Sequence, residues 1–451
     1  MKETPAIPAD FQKSIHELLG DESDLFFKSL QSASPTSIRL NPKKESTADG
    51  RLIPWSQWGR YLNERPVFTL DPLWHAGAYY VQEPSSMFLE QALLHHLDLS
   101  KKVIALDLCA SPGGKSTHLL SLLSEASLVV SNEVIRSRVS VLDENIKKWG
   151  YANSVITSSD PSHFGSLHQF FDLIVVDAPC SGEGLFRKDP GAIQQWSLEN
   201  VKTCALRQQR ILKEIWPALK PGGLLIYSTC TYNVHEDEDN MNWLSSQEDL
   251  EFLQVPVKPE WGVQEIIKER TLGYKFFPHR LEGEGFFISL VRKQSSDISA
   301  NKRKKKSALS SASREDIKQL TPWLTTSSEI QFFKHKESIL LIPAEVVDEV
   351  HSLVNHLHII SAGTLLATGK HGKMIPEHAA ALSVVLDHKH FVNIDLDKDD
   401  AIKYLRKDSL TLDTSQRGFA LVRYEGNALG WVNLLGNRMN NLYPSAWRIR
   451  M

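Results

Sequence analysis

VIALDLCASPGGKSTHLL, residues 103–120, passes from an apolar run without polar alternation, through a Pro-Gly-Gly turn, into an amphipathic stretch. An apolar segment of strand length that does not alternate suits a strand covered on both faces. SLVVSNE (127–133), FDLIVVDAP (171–179) and GGLLIYSTC (222–230) have the same character, with amphipathic stretches such as KSTHLLSLLSEA and ENVKTCALRQQRILKEIWPAL between them. The alternation predicts an α/β fold with a parallel, doubly wound, Rossmann-like sheet. GYKFFPHR (273–280) and GEGFFISLVRK (283–293) read as an antiparallel pair finishing that sheet. Ligands of such sheets bind beyond the carboxyl ends of the strands, where Cys109, Glu133, Asp177, Cys180 and Cys230 fall.

A chain of 451 residues is too long for one core and predicts two or three domains. Its 41% hydrophobic and 23% charged residues are those of a globular protein. No run approaches the roughly 18 apolar residues of a membrane span, and MKETPAIPADFQKSIHELLG lacks the apolar centre of a signal peptide, so a cytoplasmic protein without membrane contact is expected. The four cysteines, Cys109, Cys180, Cys204 and Cys230, form no CxxC pair, which removes support for a zinc site or a disulfide framework. With a net charge of −3, any nucleic-acid surface must be a local basic patch. NKRKKKSALSSAS (301–313) reads as an exposed basic linker. The expected division is a helical and mixed extension over 1–94, a catalytic domain over 95–296, the linker over 297–313, a compact module over 314–400 and a small terminal domain over 401–451.

The turn in LDLCASPGGKSTHLL is not a phosphate-binding P-loop, because that motif needs glycine where Cys109 stands; the dinucleotide GxGxxG spacing is also missing. What remains is a turn of Pro112, Gly113 and Gly114 that admits a ligand close to the backbone, followed by a helix N-terminus able to hold a carboxylate. About 20 residues on, Glu133 can accept bonds from two ribose hydroxyls. An amino-acid carboxylate together with a ribose describes S-adenosylmethionine. Lys115 reads equally well as a helix residue with its ammonium in water. Asp160 is placed either to meet an adenine amino group or to cap a helix before Pro161. Asp177, directly after LIVV, must leave the sheet or find a partner.

LDLCASPGGK (106–115), VDAPCSGEG (176–184) and YSTCTYNVHEDE (227–238), in this order and spacing, resemble the cofactor loop and two cysteine motifs of the Sun-type RNA cytosine-5 methyltransferases. SIRLNP (37–42), AYYVQEPSSM (78–87) and PHRLEGEGFF (278–287) are similar to the same family, and GWVNLLGNRMNNLYPSAWRI (430–449) resembles the PUA-like tail of its bacterial branch. The resemblance covers essentially the whole chain. It implies an S-adenosylmethionine-dependent enzyme that methylates carbon 5 of cytosine in RNA, most specifically small-subunit ribosomal RNA, working as a monomer without a metal. The same chemistry on transfer RNA, or an RNA-binding assembly factor without catalysis, are the alternatives. The resemblance also implies cofactor contacts from Cys109, Ala110, Ser111, Pro112, Gly113, Gly114, Lys115, Glu133, Asp160 and Asp177, and RNA contacts from the flanking domains.

Two thiols suit this chemistry. Carbon 5 of cytosine is too weak a nucleophile to take a methyl group unaided, and a thiolate adding to carbon 6 turns the ring into an enamine-like nucleophile. Cysteine attacks well at modest pKa and departs well afterwards. Sequence alone does not rank the two. The Pro-Cys thiol of DNA cytosine-5 methyltransferases points to Cys180, whereas the RNA family implies that Cys230 attacks and Cys180 assists release. Asp177 is expected to meet the cytosine edge as a proton donor, the cofactor, or both. Cys204, within a helical pattern, reads as a small buried hydrophobe. The five arginines from residue 411 onward, interleaved with Tyr424, Trp431, Tyr443 and Trp447, suit phosphate contacts and base stacking, or else a small β-rich core.

Overall fold

The computed structural model describes residues 5–294, 309–325, 329–370, 372–410, 415–436 and 438–450. The basic run of the expected linker lies outside the described residues.

The centre is a ten-stranded sheet. Ile104–Asp107 pairs in parallel with Leu128–Asn132 on one side and Phe171–Asp177 on the other, and these pair onward with Ser154–Thr157 and Leu219–Thr229. Successive residues of each strand enter opposite cores: Ala105, Val129, Leu173 and Val175 lie in one, and Ile104, Leu106, Val130, Ile174 and Val176 in the other. Burial on both faces is why these runs show no polar alternation. Phe286–Lys293 closes antiparallel on Leu219–Thr229, followed by Thr271–Phe276 and Gln264–Lys268. The chain leaves Ile104–Asp107 in one direction and later returns to its other side, so a topological switch point opens at that strand's carboxyl end. Residues 108–115 emerge there.

The N-terminal region forms a four-stranded antiparallel sheet, and Arg39 fastens it to the central domain. Fully buried, Arg39 donates to Gln82 Oε1 (2.9 Å), Thr117 Oγ1 (2.6 Å), Ser121 Oγ (3.2 Å) and the Gly114 carbonyl (3.3 Å) while lying 4.6 Å over the Trp149 ring. Burial lowers its pKa to about 9, which leaves the guanidinium charged at neutral pH. Three of these partners sit on or beside the helix Gly114–Leu122 that follows the Pro-Gly-Gly turn. Arg39→Ala is expected to lower the unfolding free energy by about 3 kcal/mol, since several buried bonds to a charged donor are lost at once. A denaturant midpoint equal to that of the unsubstituted protein would rule out this docking role.

The segment read as a separate module over 314–400 is not self-contained. Most of it lies in a five-stranded sheet, but Ile359–Ala362 leaves to pair antiparallel with Ser154–Thr157 at the edge of the central sheet. Ser158 N donates to the His358 carbonyl, and His358 N to Ser159 Oγ. An uncovered edge strand presents unpaired N–H and C=O groups, and a strand from some 200 residues downstream satisfies them. The last sheet runs Val392–Asp395, Arg417–Tyr424, Asn427–Leu435, Met439–Asn441. Its aromatic residues do not form an exposed stacking surface. Trp431 and Tyr443 are buried, Trp431 Nε1 donates to the Glu377 carbonyl, and Tyr443 and Trp447 meet His378 edge-on. The interleaved aromatic pattern is thus a small core, which needs the same rings on its inner faces.

Among the described residues no helix is long and apolar enough to cross a membrane, and no three or more His, Cys, Asp or Glu side chains gather as a metal site would require.

Candidate active site

Asp107 ends the central strand in full burial. Its Oδ2 accepts from Ser116 Oγ at 2.7 Å, while Oδ1 is buried without a protein partner. Burial pushes this carboxyl up to about 7. An orphaned acceptor at the switch point is where a ligand bearing an ammonium or hydroxyl donor would be held. Asp107 was readable as the one carboxylate inside LDLCASP, yet the glycine turn drew the reading past it.

The turn itself is strapped from behind. Ala110 N donates to the Asn132 carbonyl, Arg138 Nη2 to the Ser111 carbonyl (2.6 Å), Ser111 Oγ to the Arg138 carbonyl, and Asn145 Nδ2 to the Pro112 carbonyl (2.8 Å). Gly113 sits at φ +113°, a conformation that favours glycine, and delivers the chain to the helix Gly114–Leu122. The N–H groups of that helix's first turn have no intrahelical acceptor and point to the strand ends. Glu133, nearly buried, accepts from Ile135 N at 2.8 Å and lies 3.5 Å from Arg138 Nε. The set fits S-adenosylmethionine: an anion-binding turn, an orphaned acid and a carboxylate at the second strand end. Cys109 contributes backbone, and burial drives its thiol well above the usual range. Asp160 adopts the capping geometry of its local reading, with Oδ1 accepting from Ser162 N and Oγ and from Arg210 Nη2 at 2.8 Å.

Lys115 is not a solvated helix residue. Its side chain is 10% exposed and its ammonium meets Asp177 Oδ2 at 2.8 Å, 5.2 Å from the Phe286 ring centre. Asp177 Oδ1 accepts from Ser228 Oγ at 2.8 Å, so both of its oxygens are engaged as acceptors and neither stands as a proton donor. Asp177 thereby joins the cofactor helix to the strand that leads to Cys230.

The two thiols, 50 residues apart in sequence, come together: Cys180 Sγ lies 2.9 Å from Cys230 Sγ, and both residues are partly exposed. The parallel pairing of Asp177 with Ser228 brings both loops out at adjoining strand ends. The bond to Cys230 and then burial raise the Cys180 thiol well above its ordinary value, and either sulfur can donate in the contact between them. Cys204 is apart from this pair, buried in the helix Leu198–Ile215, and burial pushes it up to about 11. Gly184 N donates to the Cys230 carbonyl at 2.9 Å, and a Cβ at Gly184 would strike the Gly285 and Cys230 carbonyl oxygens. Gly184→Ala is therefore expected to cost about 1–3 kcal/mol and to slow methyl transfer by prising the loops apart; unchanged turnover would mean that the loops tolerate separation.

The acidic residues of the run HEDE (235–238) turn inward. Glu236, Asp237 and Glu238 are buried. Asp237 accepts from Thr229 Oγ1 at 2.6 Å, and Lys275, also buried, lies 3.4 Å from Asp237 and 2.9 Å from Glu238.

Comparison with known proteins agrees with this geometry. A family model described as 16S rRNA methyltransferase RsmB/F matches residues 94–292, the N-terminal domain of 16S rRNA methyltransferase RsmF matches 7–84, and the methyltransferase RsmF PUA domain matches 391–449. Ribosomal RNA small subunit methyltransferase F of Shewanella piezotolerans is 30% identical over 87% of this chain and 84% of its own. The enzyme of that name from Pectobacterium atrosepticum is 37% identical over 65% of this chain, a match that spans 64% of its own length. A solved methyltransferase homolog protein from Pyrococcus horikoshii is 28% identical, with a TM-score of 0.54 over 63% of this chain and 94% of that one. Fold and site together define an S-adenosylmethionine-dependent methyltransferase with a Rossmann-like domain. Within that class, the chain belongs to the 16S rRNA methyltransferase RsmB/F family, in the branch of ribosomal RNA small subunit methyltransferase F.

Proposed function

We propose that the protein methylates carbon 5 of a cytosine in small-subunit ribosomal RNA, with Cys230 as the nucleophile at carbon 6 and Cys180 assisting release. The observation that carries the reading is the 2.9 Å meeting of the two sulfurs beside Asp177 at the strand ends. The bond to Cys230 and burial raise the Cys180 thiol, and the likeness of YSTCTYNVHEDE to the RNA-family cysteine motif supports Cys230 as the attacking sulfur.

Cys230 gives up its thiol proton to solvent, its Sγ bonds to carbon 6, and the carbon 5–carbon 6 π pair shifts to carbon 5, where it takes up the methyl group. S-adenosylmethionine supplies an electrophilic methyl group on its sulfonium. Once carbon 5 carries that methyl group, its proton leaves to solvent, the bond between sulfur and carbon 6 breaks, and the Cys180 thiol donates to the departing sulfur. Asp177, fixed by Lys115 and Ser228, accepts from the exocyclic amino group of the base. The backbone of residues 109–114 would hold the amino-acid end of the cofactor and Glu133 its ribose hydroxyls, while Asp160, engaged with Ser162 and Arg210, would serve the adenine only through an oxygen not used in that cap. A cytosine stacked in a helix hides the face of carbon 6, so the target must be unpaired or swung out. The names of the N-terminal and PUA domain matches support RNA as the macromolecular partner of the flanking domains.

Incubation with methyl-labelled cofactor and total RNA from cells lacking the protein tests this. Label recovered as 5-methylcytidine in small-subunit ribosomal RNA is expected. Label in transfer RNA would move the substrate, and no label would leave an RNA-binding protein without catalysis.

A further inference from the structure

The two cysteine loops clasp one another through buried carboxylates. Glu183, three residues after Cys180, reaches across to the Cys230 loop: its Oε2 accepts from Tyr232 N at 3.0 Å and its Oε1 from Trp196 Nε1 at 2.9 Å. Glu236, six residues after Cys230, reaches the other way: its Oε2 accepts from Ser181 N at 3.0 Å and from Gln208 Nε2 at 2.8 Å. Asn233 Nδ2 stands between them, 2.7 Å from Glu236 Oε1 and 3.2 Å from Glu183 Oε1. Ser181 Oγ and Thr231 Oγ1, on the residues that directly follow the two cysteines, lie 3.2 Å apart.

The energetics single this arrangement out. Glu183 is 2% exposed and Glu236 is 0% exposed, and every donor given above for either is a neutral N–H. Buried carboxylates without a counter-ion are costly, and neutral polar side chains could bridge two loops at lower cost. Burial raises the Glu236 carboxyl, and its proximity is one of the influences that keep the Cys180 thiol protonated. What the carboxylates offer over an amide is acceptor capacity. Glu236 Oε2 alone takes two donors while Oε1 takes a third, which ties the Cys180 loop, the helix Leu198–Ile215 and its own loop together with one side chain.

We propose that Glu183 and Glu236, bridged by Asn233, are positioning residues that hold the Cys180 and Cys230 sulfurs in register for methyl transfer. The inference rests on the reading of these thiols as the reacting groups. Both glutamates are buried and engaged with protein donors, and each acts through the backbone of the opposite loop. The strands fix the chain up to Asp177 and Thr229; Ser181 and Tyr232, which follow the two sulfurs, are held by this reciprocal grip.

The test uses the full chain carrying E183Q or E236Q, which keep size and shape but replace one acceptor oxygen with a donor. Three quantities are read: single-turnover methyl transfer at saturating RNA and cofactor, the dissociation constant for S-adenosylmethionine, and the rate at which diamide links Cys180 to Cys230. In that reaction diamide takes up the two thiol hydrogens and is reduced to its hydrazine, and peptide mass spectrometry identifies the linked pair. Transfer is expected to slow about a hundredfold, the scale of a displacement of about 1 Å at a reacting atom, with slower linking and unchanged cofactor affinity. Wild-type transfer and linking rates in both variants would overturn the proposal, as would a loss matched by equally weakened cofactor binding, the mark of a general structural role. Should the glutamine variants not fold, N233A removes the shared donor and must give the same split between transfer and cofactor affinity, or the proposal fails. Retained methylation by a Cys230→Ala variant would instead remove the nucleophile assignment, leaving the linking result to stand by itself.

Discussion

Cys230→Ala is expected to lose methyl transfer by on the order of 10⁴-fold or more, as when the nucleophile of a covalent mechanism is removed. At about 1.4 kcal/mol per decade, that is a barrier rise of some 5 kcal/mol. Cofactor binding should survive, because the turn, Asp107 and Glu133 are built on other strands and Cys230 touches none of them. The structural cost should be small, since the side chain is partly exposed, its sulfur bonds to Cys180 Sγ, and Gly184 is held through the Cys230 carbonyl, which alanine keeps. Labelled cofactor would be retained on the variant in equilibrium dialysis while RNA acquires no label. Full turnover by the variant would move the nucleophile elsewhere, and Cys180, 2.9 Å away, would be the next candidate.

Cys180→Ala should behave differently, since it removes the donor to the departing sulfur while leaving the attacking one. Addition and methyl transfer then proceed and the final cleavage stalls. A covalent adduct of protein and RNA is expected to accumulate, seen as a slow-migrating band on a denaturing gel that carries the methyl label and disappears on nuclease treatment. Multiple turnover should fall by about 10²-fold or more, the range for a lost general acid, while the first turnover persists. The opposite pattern, with no adduct and with methyl transfer abolished, would assign attack to Cys180. The likeness of YSTCTYNVHEDE to the RNA-family cysteine motif sets the expected direction.

How much of this was legible beforehand can be seen residue by residue. Cys230 and Cys180 could be placed at strand ends because unbroken apolar runs preceded both, but nothing in a 50-residue separation says that the two sulfurs touch. That follows from the parallel pairing of Phe171–Asp177 with Leu219–Thr229. Lys115 was ambiguous until the fold placed Asp177 against it, since a lysine in the first turn of a helix finds water unless another strand brings a carboxylate. For the same reason the burial of Glu236 was not legible: a run of acids after a strand normally faces solvent, and the Ser181 and Gln208 N–H groups that make burial tolerable come from elsewhere in the chain. The C-terminal aromatic residues were open between a stacking surface and a small β-rich core, and the structure selects the core: spacing along the chain gives their number but not which face they occupy.

Local chemistry, carried by neighbouring residues, was therefore fixed in the amino-acid order. It set the α/β alternation, because burial on both faces removes polar residues from a strand, and it set the glycine turn and the two thiol loops. Tertiary structure alone decided the meeting of the thiols, the burial of Arg39, Glu183 and Glu236, and the transfer of Ile359–Ala362 to the edge of the central sheet. Those contacts join residues tens to hundreds of positions apart. Hydrogen bonds and ion pairs across such distances depend on which surfaces the folded chain brings within about 3 Å of one another.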